Sequence, residues 1–180
     1  YIENEILGED VGKQDQYLAS YGGLINLDIP KSGEVKASRL DIDISTKDEL
    51  NNNLLLFNTG ITREAAGVIA AQKKTMESDQ SIFDQMHAIK DIGERIKQAL
   101  IKGDLTQFGQ LLDVHWETKK KFSTKMSDPK IDSLYKIGLE NGALGGKLVG
   151  AGGGGFLLFY CEHKRAQLRQ KFKELGLKEL

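Results

Sequence analysis

Apolar positions along the chain change their spacing, and each change marks an element. Between Leu24 and Ile44 they tend to alternate: "LINLDI" (Leu24 to Ile29), a turn over Pro30–Gly33, then "VKASRLDIDI" with Leu40, Ile42 and Ile44 on one side. A period of two marks half-buried strands, and the turn between them suggests a hairpin. "NLLLF" (Asn53 to Phe57) is a fuller apolar run and predicts a third strand, which ends in "NTGITR". From Arg63 the spacing lengthens to helical values. Arg63 to Met76 is Ala-rich. Ile82, Met86, Ile89, Ile96 and Leu100 form the stripe of a second helix, which Gly103 ends. Asp104 caps a third, with Leu105, Phe108, Leu112, His115/Trp116 and Phe122 on its apolar face. Asp128 followed by Pro129 is an N-cap and N1 pair that opens a fourth, through Leu139. "FLLFYC" (Phe156 to Cys161) reads as a last strand and Arg165 to Leu175 as a last amphipathic helix, while Tyr1 to Leu7 looks like a helix end closed by Gly8.

The order is therefore β-β-β, α-α-α-α, β, α. Strands grouped apart from helices argue for an α+β fold, a mainly antiparallel sheet covered by helices, rather than a doubly wound parallel sheet. Composition adds bounds. The 180 residues are 39% hydrophobic and 28% charged, with a formal net charge of −1, so no electrostatic footprint favours nucleic acid or an anionic membrane. The single cysteine, Cys161, follows an apolar run and reads as a buried thiol rather than a nucleophile. A reducing cytoplasm is its natural setting. The apolar and glycine-rich run from Leu148 to Cys161 is shorter than the ~18 residues of a membrane helix.

Chemistry is signalled in two places. In "GAGGGG" (residues 150–155), Gly150, Gly152 and Gly155 formally satisfy G-x-G-x-x-G. A strand rather than a helix follows the glycines, so a dinucleotide fingerprint is a poor fit, and no G-K-[ST] follows to make a Walker loop. Two readings remain. One is a turn into a strand, or close packing of backbone. The other is a loop whose N–H groups close on phosphate or a sugar hydroxyl. Gly150, Gly152, Gly153, Gly154 and Gly155 exceed what a turn needs, which favours the second.

The other place is "GKQDQYLASYGG" (residues 12–23), where Asp15 lies between Gln14 and Gln16, close to Lys13, in a stretch bounded by glycines. Amide neighbours can orient a carboxylate and a cation can keep it ionised. That suits a general base for a hydroxyl, worth roughly 10²–10⁴-fold in rate. Taken alone, Asp15 is better explained as a surface carboxylate or a helix cap. Arg63, after "NTGIT", has a fork suited to a phosphate, or is a surface residue at a helix start. Lys147, just before the glycines, is equally open between a phosphate contact and a surface position. Trp116 reads as core. Lys119 to Lys121 read as a solvated face from which one lysine could reach phosphate. His87 and His163 carry no metal-ligand pattern.

Taken together, "GKQDQY…YGG" and "KLVGAGGGGFLLF" resemble the catalytic-aspartate segment and the C-terminal glycine-rich motif of the GHMP sugar-kinase superfamily. Within it, "FNTGITREA", "HWETKKKFS" and "GALGGKLVGAGGGGFLLFY" look most like the bacterial D-glycero-D-manno-heptose 7-phosphate kinases, with fucokinases next. The resemblance implies an ATP- and Mg²⁺-dependent transfer of phosphate to a sugar hydroxyl, here the anomeric hydroxyl of heptose 7-phosphate. Asp15 would be the base, Gln14, Gln16, Arg63 and Lys147 substrate contacts, and the glycines of 150–155 the wall of the substrate cleft. Phosphoryl transfer asks a protein mainly for positioning and charge stabilisation. Partners would be the sugar phosphate and ATP, with neither nucleic acid nor membrane. A fucokinase-like enzyme and a non-catalytic phosphosugar-binding domain are the alternatives.

Two family segments are missing from the sequence: the N-terminal sugar motif, and the P-x-x-x-G-L-x-S-S-A loop that cradles ATP and leads to a Mg²⁺-binding Glu. No residue here, Glu3 and Glu5 included, is marked as that metal ligand. The expectation is a C-terminal portion of such a kinase, inactive alone. Residues 1–60 would end the N-terminal catalytic domain, and residues 61–180 would form the C-terminal GHMP-kinase domain.

Overall fold

A computed structural model describes residues 14–30, 32–61, 81–121, 127–149 and 154–180. The expected helices over Tyr1 to Leu7 and Arg63 to Met76 lie outside these. The first described helix, α1 (Gln14–Tyr21), ends at Gly22 and Gly23, both with positive φ. Then β1 (Ile25–Asp28) and β2 (Lys36–Arg39) pair antiparallel as the expected hairpin, Asp28 opposite Lys36.

The alternation does not continue to Ile44. Ile42 is buried but Ile44 is 75% exposed, and the chain turns at Asp43 into a helix, α2 (Ile44–Asn53). Its sequence, ISTKDELNNN, buries only Leu50 and Asn53, too few positions to display a helical period. It leads directly into β3 (Leu54–Asn58).

The long helices form where their stripes predict them. They are α3 (Ser81–Lys102), α4 (Leu105–Lys120) and α5 (Pro129–Glu140). Gly103, at φ 71°, closes α3, and the Asp104 carboxylate accepts the Gln107 N–H at 3.0 Å to open α4. The Asp128 carboxylate accepts the N–H groups of Lys130 and Ile131, both at 2.9 Å, to open α5. After them come β4 (Gly145–Val149), β5 (Phe156–Tyr160), α6 (Arg165–Glu174) and the two-residue β6 (Lys178–Glu179).

Sequence reading placed no strand before the glycines, and β4 is one. It pairs antiparallel with β5, so the glycine run joins the two strands of a hairpin. The full sheet is antiparallel in the order β4-β5-β3-β6, and its third member, β3, comes from residues 54–58. Antiparallel sheet and covering helices make the α+β fold that the grouping of elements predicts.

Register sorts the sheet's side chains onto two faces. Leu55, Phe57, Leu148, Leu157 and Phe159 share one face. They are buried against Ile131, Leu134 and Tyr135 of α5 and Leu168 and Phe172 of α6. Cys161 is buried in the same cluster, as its apolar neighbours predict. The opposite face carries Gly145, Lys147, Leu158 and Tyr160. It meets α3 and α4 at the Tyr160 end, where Leu100, Phe108, Leu111 and Leu112 gather. Here the Tyr160 ring stands edge-on to Phe108, their centroids 5.5 Å apart. Among the described residues no helix is long and apolar enough to cross a membrane.

Candidate functional site

Strand β4 is the edge of the sheet, and α4 seals it by backbone contact. A side chain at Gly145 would run into the Gly109 carbonyl and the Asp113 backbone N–H, and one at Gly146 into the Leu158 carbonyl and the Phe159 ring. These glycines are required by packing. A single hydroxyl then joins the pieces: Tyr135 OH of α5 donates to the Asp113 carboxylate at 2.7 Å and lies 3.1 Å from the Gly146 carbonyl. Burial, with the Asp113 charge beside it, pushes the Tyr135 phenol well above its ordinary range, so it stays a neutral donor.

The far end of the hairpin is fastened to a second segment. After β3 the chain turns through Asn58–Ile61: the Gly60 N–H reaches the Asn58 side chain at 2.8 Å, and Gly60 has φ 67°. Thr59, only 3% exposed, gives both its N–H (3.0 Å) and its hydroxyl (2.7 Å) to the Gly155 carbonyl. The Gly155 N–H returns to the Ile61 carbonyl at 2.9 Å. Gly155 itself has φ 104°, and a side chain on Gly154 would strike the Ile61 carbonyl. So at Gly154 and Gly155 the group that approaches bare backbone is the protein's own chain. Two sequence motifs, "FNTGITREA" and "GAGGGG", are thereby locked together. Gly150, Gly152, Gly153 and Arg63 lie outside the described residues.

Beside the hairpin lies a group of cations. Lys147 projects from β4 on the face that α4 covers. Burial lowers its ammonium pKa to about 8, with the Lys119 charge adding to the effect. Burial also lowers Lys119. His115, one helical turn before Lys119, is held down to about 4 by burial and by the charges of Lys147 and Lys119. Among the described residues none of the three has a carboxylate partner. His115 Nδ1 is buried without a hydrogen-bond partner. The expected solvated face of Lys119 to Lys121 is thus divided. Lys121 is exposed, while Lys119 and Lys120 are half-buried. Trp116 is wholly buried, as its place in the stripe predicts.

Asp15 and Gln14 are exposed in the first turn of α1, and Gln16 is half-buried in the same helix. The described part of the glycine-bounded segment is helical over Gln14–Tyr21. Among the described residues no hydrogen bond or ion pair joins Asp15 to Lys147 or to Gly154 and Gly155. Next to α1 a cleft of about 680 Å³ opens between Tyr21–Leu24 and α2, with Arg39 and Lys47 on its walls. Among the described residues no three His, Cys, Asp or Glu side chains gather as a metal site requires.

Sequence reasoning placed Lys147 near the glycines but could not join His115 and Lys119 to it. Its only signal was their i, i+4 spacing in "HWETK", and i, i+4 residues share a helix face.

Residues 96–177, from the end of α3 to the turn before β6, match the family described as GHMP kinases C terminal. D-glycero-alpha-D-manno-heptose 7-phosphate kinase of Campylobacter jejuni is 37% identical over 161 residues, which is 89% of this chain and 47% of that protein. A crystal structure titled as a putative sugar kinase from Campylobacter jejuni superposes with a TM-score of 0.73 at 32% identity, over 99% of this chain and 50% of that one. A D-glycero-D-manno-heptose 1-phosphate kinase from Bacteroides thetaiotaomicron gives the same score of 0.73 at 26% identity, over 99% and 48%. The chain spans about half the length of these relatives. Residues 96–177 thus carry a GHMP kinase C-terminal domain, and the chain shares its fold with these sugar kinases.

Proposed function

We propose that the full-length protein is a sugar kinase that moves the γ-phosphoryl group of ATP to a hydroxyl of a phosphorylated sugar. The acceptor that fits best is D-glycero-D-manno-heptose 7-phosphate, taken at its anomeric hydroxyl. The observation that carries this reading is the 37% identity over 89% of the chain with a protein of that name. The lock between the Asn58–Ile61 turn and the glycine hairpin supports it, because it gives the two motifs one rigid frame.

In this reading Asp15 accepts the proton of the attacking hydroxyl, and Gln14 and Gln16 beside it orient the sugar. Lys147 and Arg63 meet phosphate. Gly150, Gly152 and Gly153 present backbone N–H groups to the substrate, while Gly154 and Gly155 hold that loop in place through Ile61 and Thr59. The described residues offer no ligand set for Mg²⁺, so none is assigned to it. The protein would act in the cytoplasm, where ATP is available.

A coupled ADP-release assay on the full-length protein, run over a panel of sugars and sugar phosphates, tests the reading. Turnover should require the phosphorylated heptose. Preference for fucose would make the protein a fucokinase, and phosphosugar binding with no turnover would make it a binding module. Asp15→Asn should lower kcat by about 10²–10⁴-fold; a rate near wild type would remove Asp15 from the role of base.

A further inference from the structure

We infer that His115, Lys119 and Lys147 together form the pocket for the phosphate group that the acceptor sugar already carries. The inference rests on the sugar-phosphate kinase reading and adds to it two residues, on α4, and a division of labour.

The geometry comes from the contact between β4 and α4. Leu144 and Gly145 both lie against Gly109, and Gly145 also lies against Asp113, so strand and helix run in the same sense. Tyr135 fixes this register by lying within reach of Asp113 and Gly146 at once. Lys147 is two residues beyond Gly145 on the same face, an advance of about 6.6 Å. Four residues of helix cover about 6 Å. Lys147 therefore stands level with the turn of α4 that His115 and Lys119 flank. The three side chains are near enough for the charges of Lys119 and Lys147 to act on His115, and that of Lys119 on Lys147, next to the β4–β5 hairpin.

The chemistry of the cluster selects an anion. The neighbouring cation on this stretch of α4, Lys120, has partners in Glu117 and Asp132. Lys119 and Lys147 are half-buried with no carboxylate beside them among the described residues; burial disfavours both charges, and the Lys119 charge further disfavours that of Lys147. A buried, uncompensated pair of ammonium groups is costly, and a dianion between them reverses the cost. In the ligand-free protein His115 is held neutral, and its imidazole can offer an N–H to a phosphate oxygen. Its buried, unpartnered Nδ1 is a polar atom of the kind a ligand or ordered water satisfies. A dianionic phosphomonoester matches two cations and one neutral donor in both charge and hydrogen-bonding capacity.

Phosphate also occurs on ATP, so the test separates the two sources. With the full-length protein, Lys119→Met and Lys147→Met should each raise the KM for the sugar phosphate roughly 10- to 100-fold, the loss expected for a charge-assisted hydrogen bond. The KM for ATP should move less than about twofold, and Lys119→Arg should restore part of the loss. A rise confined to the ATP KM would overturn the inference and give the pocket to the nucleotide. A second readout needs no turnover. This chain has three histidines; with His115 assigned by the loss of its signal in His115→Gln, the imidazole NMR signals of His87 and His163 serve as internal references. Mannose 6-phosphate, used as a stable sugar-phosphate probe, should shift the His115 signals alone, and mannose should not. A shift without turnover would keep the pocket and discard the kinase reading. Turnover of a sugar phosphate with His115 silent and both lysine variants normal would keep the kinase and discard the pocket.

Discussion

Helix α4 carries two i, i+4 pairs side by side, Trp116 with Lys120 and His115 with Lys119, and the protein surrounds them in opposite ways. Lys120 Nζ lies 2.7 Å from Glu117 and 3.5 Å from Asp132. It also sits 5.9 Å from the Trp116 ring centroid and 6.0 Å from that of Tyr135. Burial pulls its pKa down, but Glu117 and Asp132 more than offset this and the net shift is upward. Lys119, the next residue, has burial alone acting on it, and its pKa falls. A cation wrapped in carboxylates and aromatic faces is part of the scaffold. A cation half-buried without them costs stability, and such costs concentrate where a ligand is bound.

The sharpest way to break this comparison is to separate β4 from α4, since both pairs depend on that seam. Gly145→Val places a branched side chain against the Gly109 carbonyl and the Asp113 N–H, neither of which can retreat without unwinding α4. The expected loss is about 3 kcal/mol or more, at the upper end for overpacking. It should be read as a large drop in urea midpoint, and an unchanged midpoint would mean the seam is loose. Tyr135→Phe comes next. It leaves the Asp113 carboxylate without its donor, removes the hydroxyl from beside the Gly146 carbonyl, and should cost about 1–3 kcal/mol. A loss below about 0.5 kcal/mol would show that water replaces the hydroxyl and that the structural side is less fixed than its geometry implies.

A smaller effect distinguishes the uncompensated side by its pH dependence. His115 has a folded-state value of about 4 against an ordinary 6.5. Between these limits the unfolded chain binds more protons, so this group makes stability rise with pH from about 4 to 6.5 and fall as pH drops through that window. Lys147, lowered to about 8 from 10.5, acts in the same sense between those values, its contribution rising as the medium turns alkaline. Denaturation of the ligand-free protein followed against pH should therefore show a shallower loss of stability towards acid for His115→Gln, and for Lys147→Met a slope between about pH 8 and 10.5 that is less positive than that of the wild type. Parallel profiles for variant and wild type would mean that these side chains are solvated.

Much of this frame was legible in the sequence. The Asp104 and Asp128 caps, Gly103 and the stripes of α3 to α5 are local signals, and the helices follow them. The runs "LLLF" (residues 54–57) and "FLLFY" (residues 156–160) are apolar on both faces because one face is the core and the other is partly covered. What escaped reading depends on distant partners. Strand β4 begins with two glycines because α4 and Phe159 leave no room for side chains, a fact of packing that a propensity argument reads as loop. The short α2 buries two side chains, and β6 exists only through pairing with Phe57 and Asn58. The site was half legible. Lys147 could be placed next to the glycines by sequence alone, but the bond of Thr59 to Gly155 spans 96 residues. Nor does "TKKK" reveal which lysine faces which way: a rotation of about 100° around the helix separates a paired cation from an unpaired one.

The smallest prediction tests that rotation directly. Lys120→Met removes two surface ion pairs whose carboxylates remain half in solvent. Exposed pairs contribute about 0.2–1 kcal/mol, screened by salt. The cation's position over two rings adds a little more. The variant should therefore lose no more than about 1 kcal/mol at low ionic strength, and less of it at 1 M salt. Lys119→Met, one residue away, should go in the other direction. It removes a partly buried charge and its repulsion with Lys147 while keeping the aliphatic stem that packs there. Its ligand-free stability should equal or exceed that of the wild type, with the difference shrinking as salt rises. The comparison rests on the signs rather than the sizes. If both variants lost stability equally, α4 would have a single charged face, and the distinction between its paired and unpaired lysines would have no energetic content.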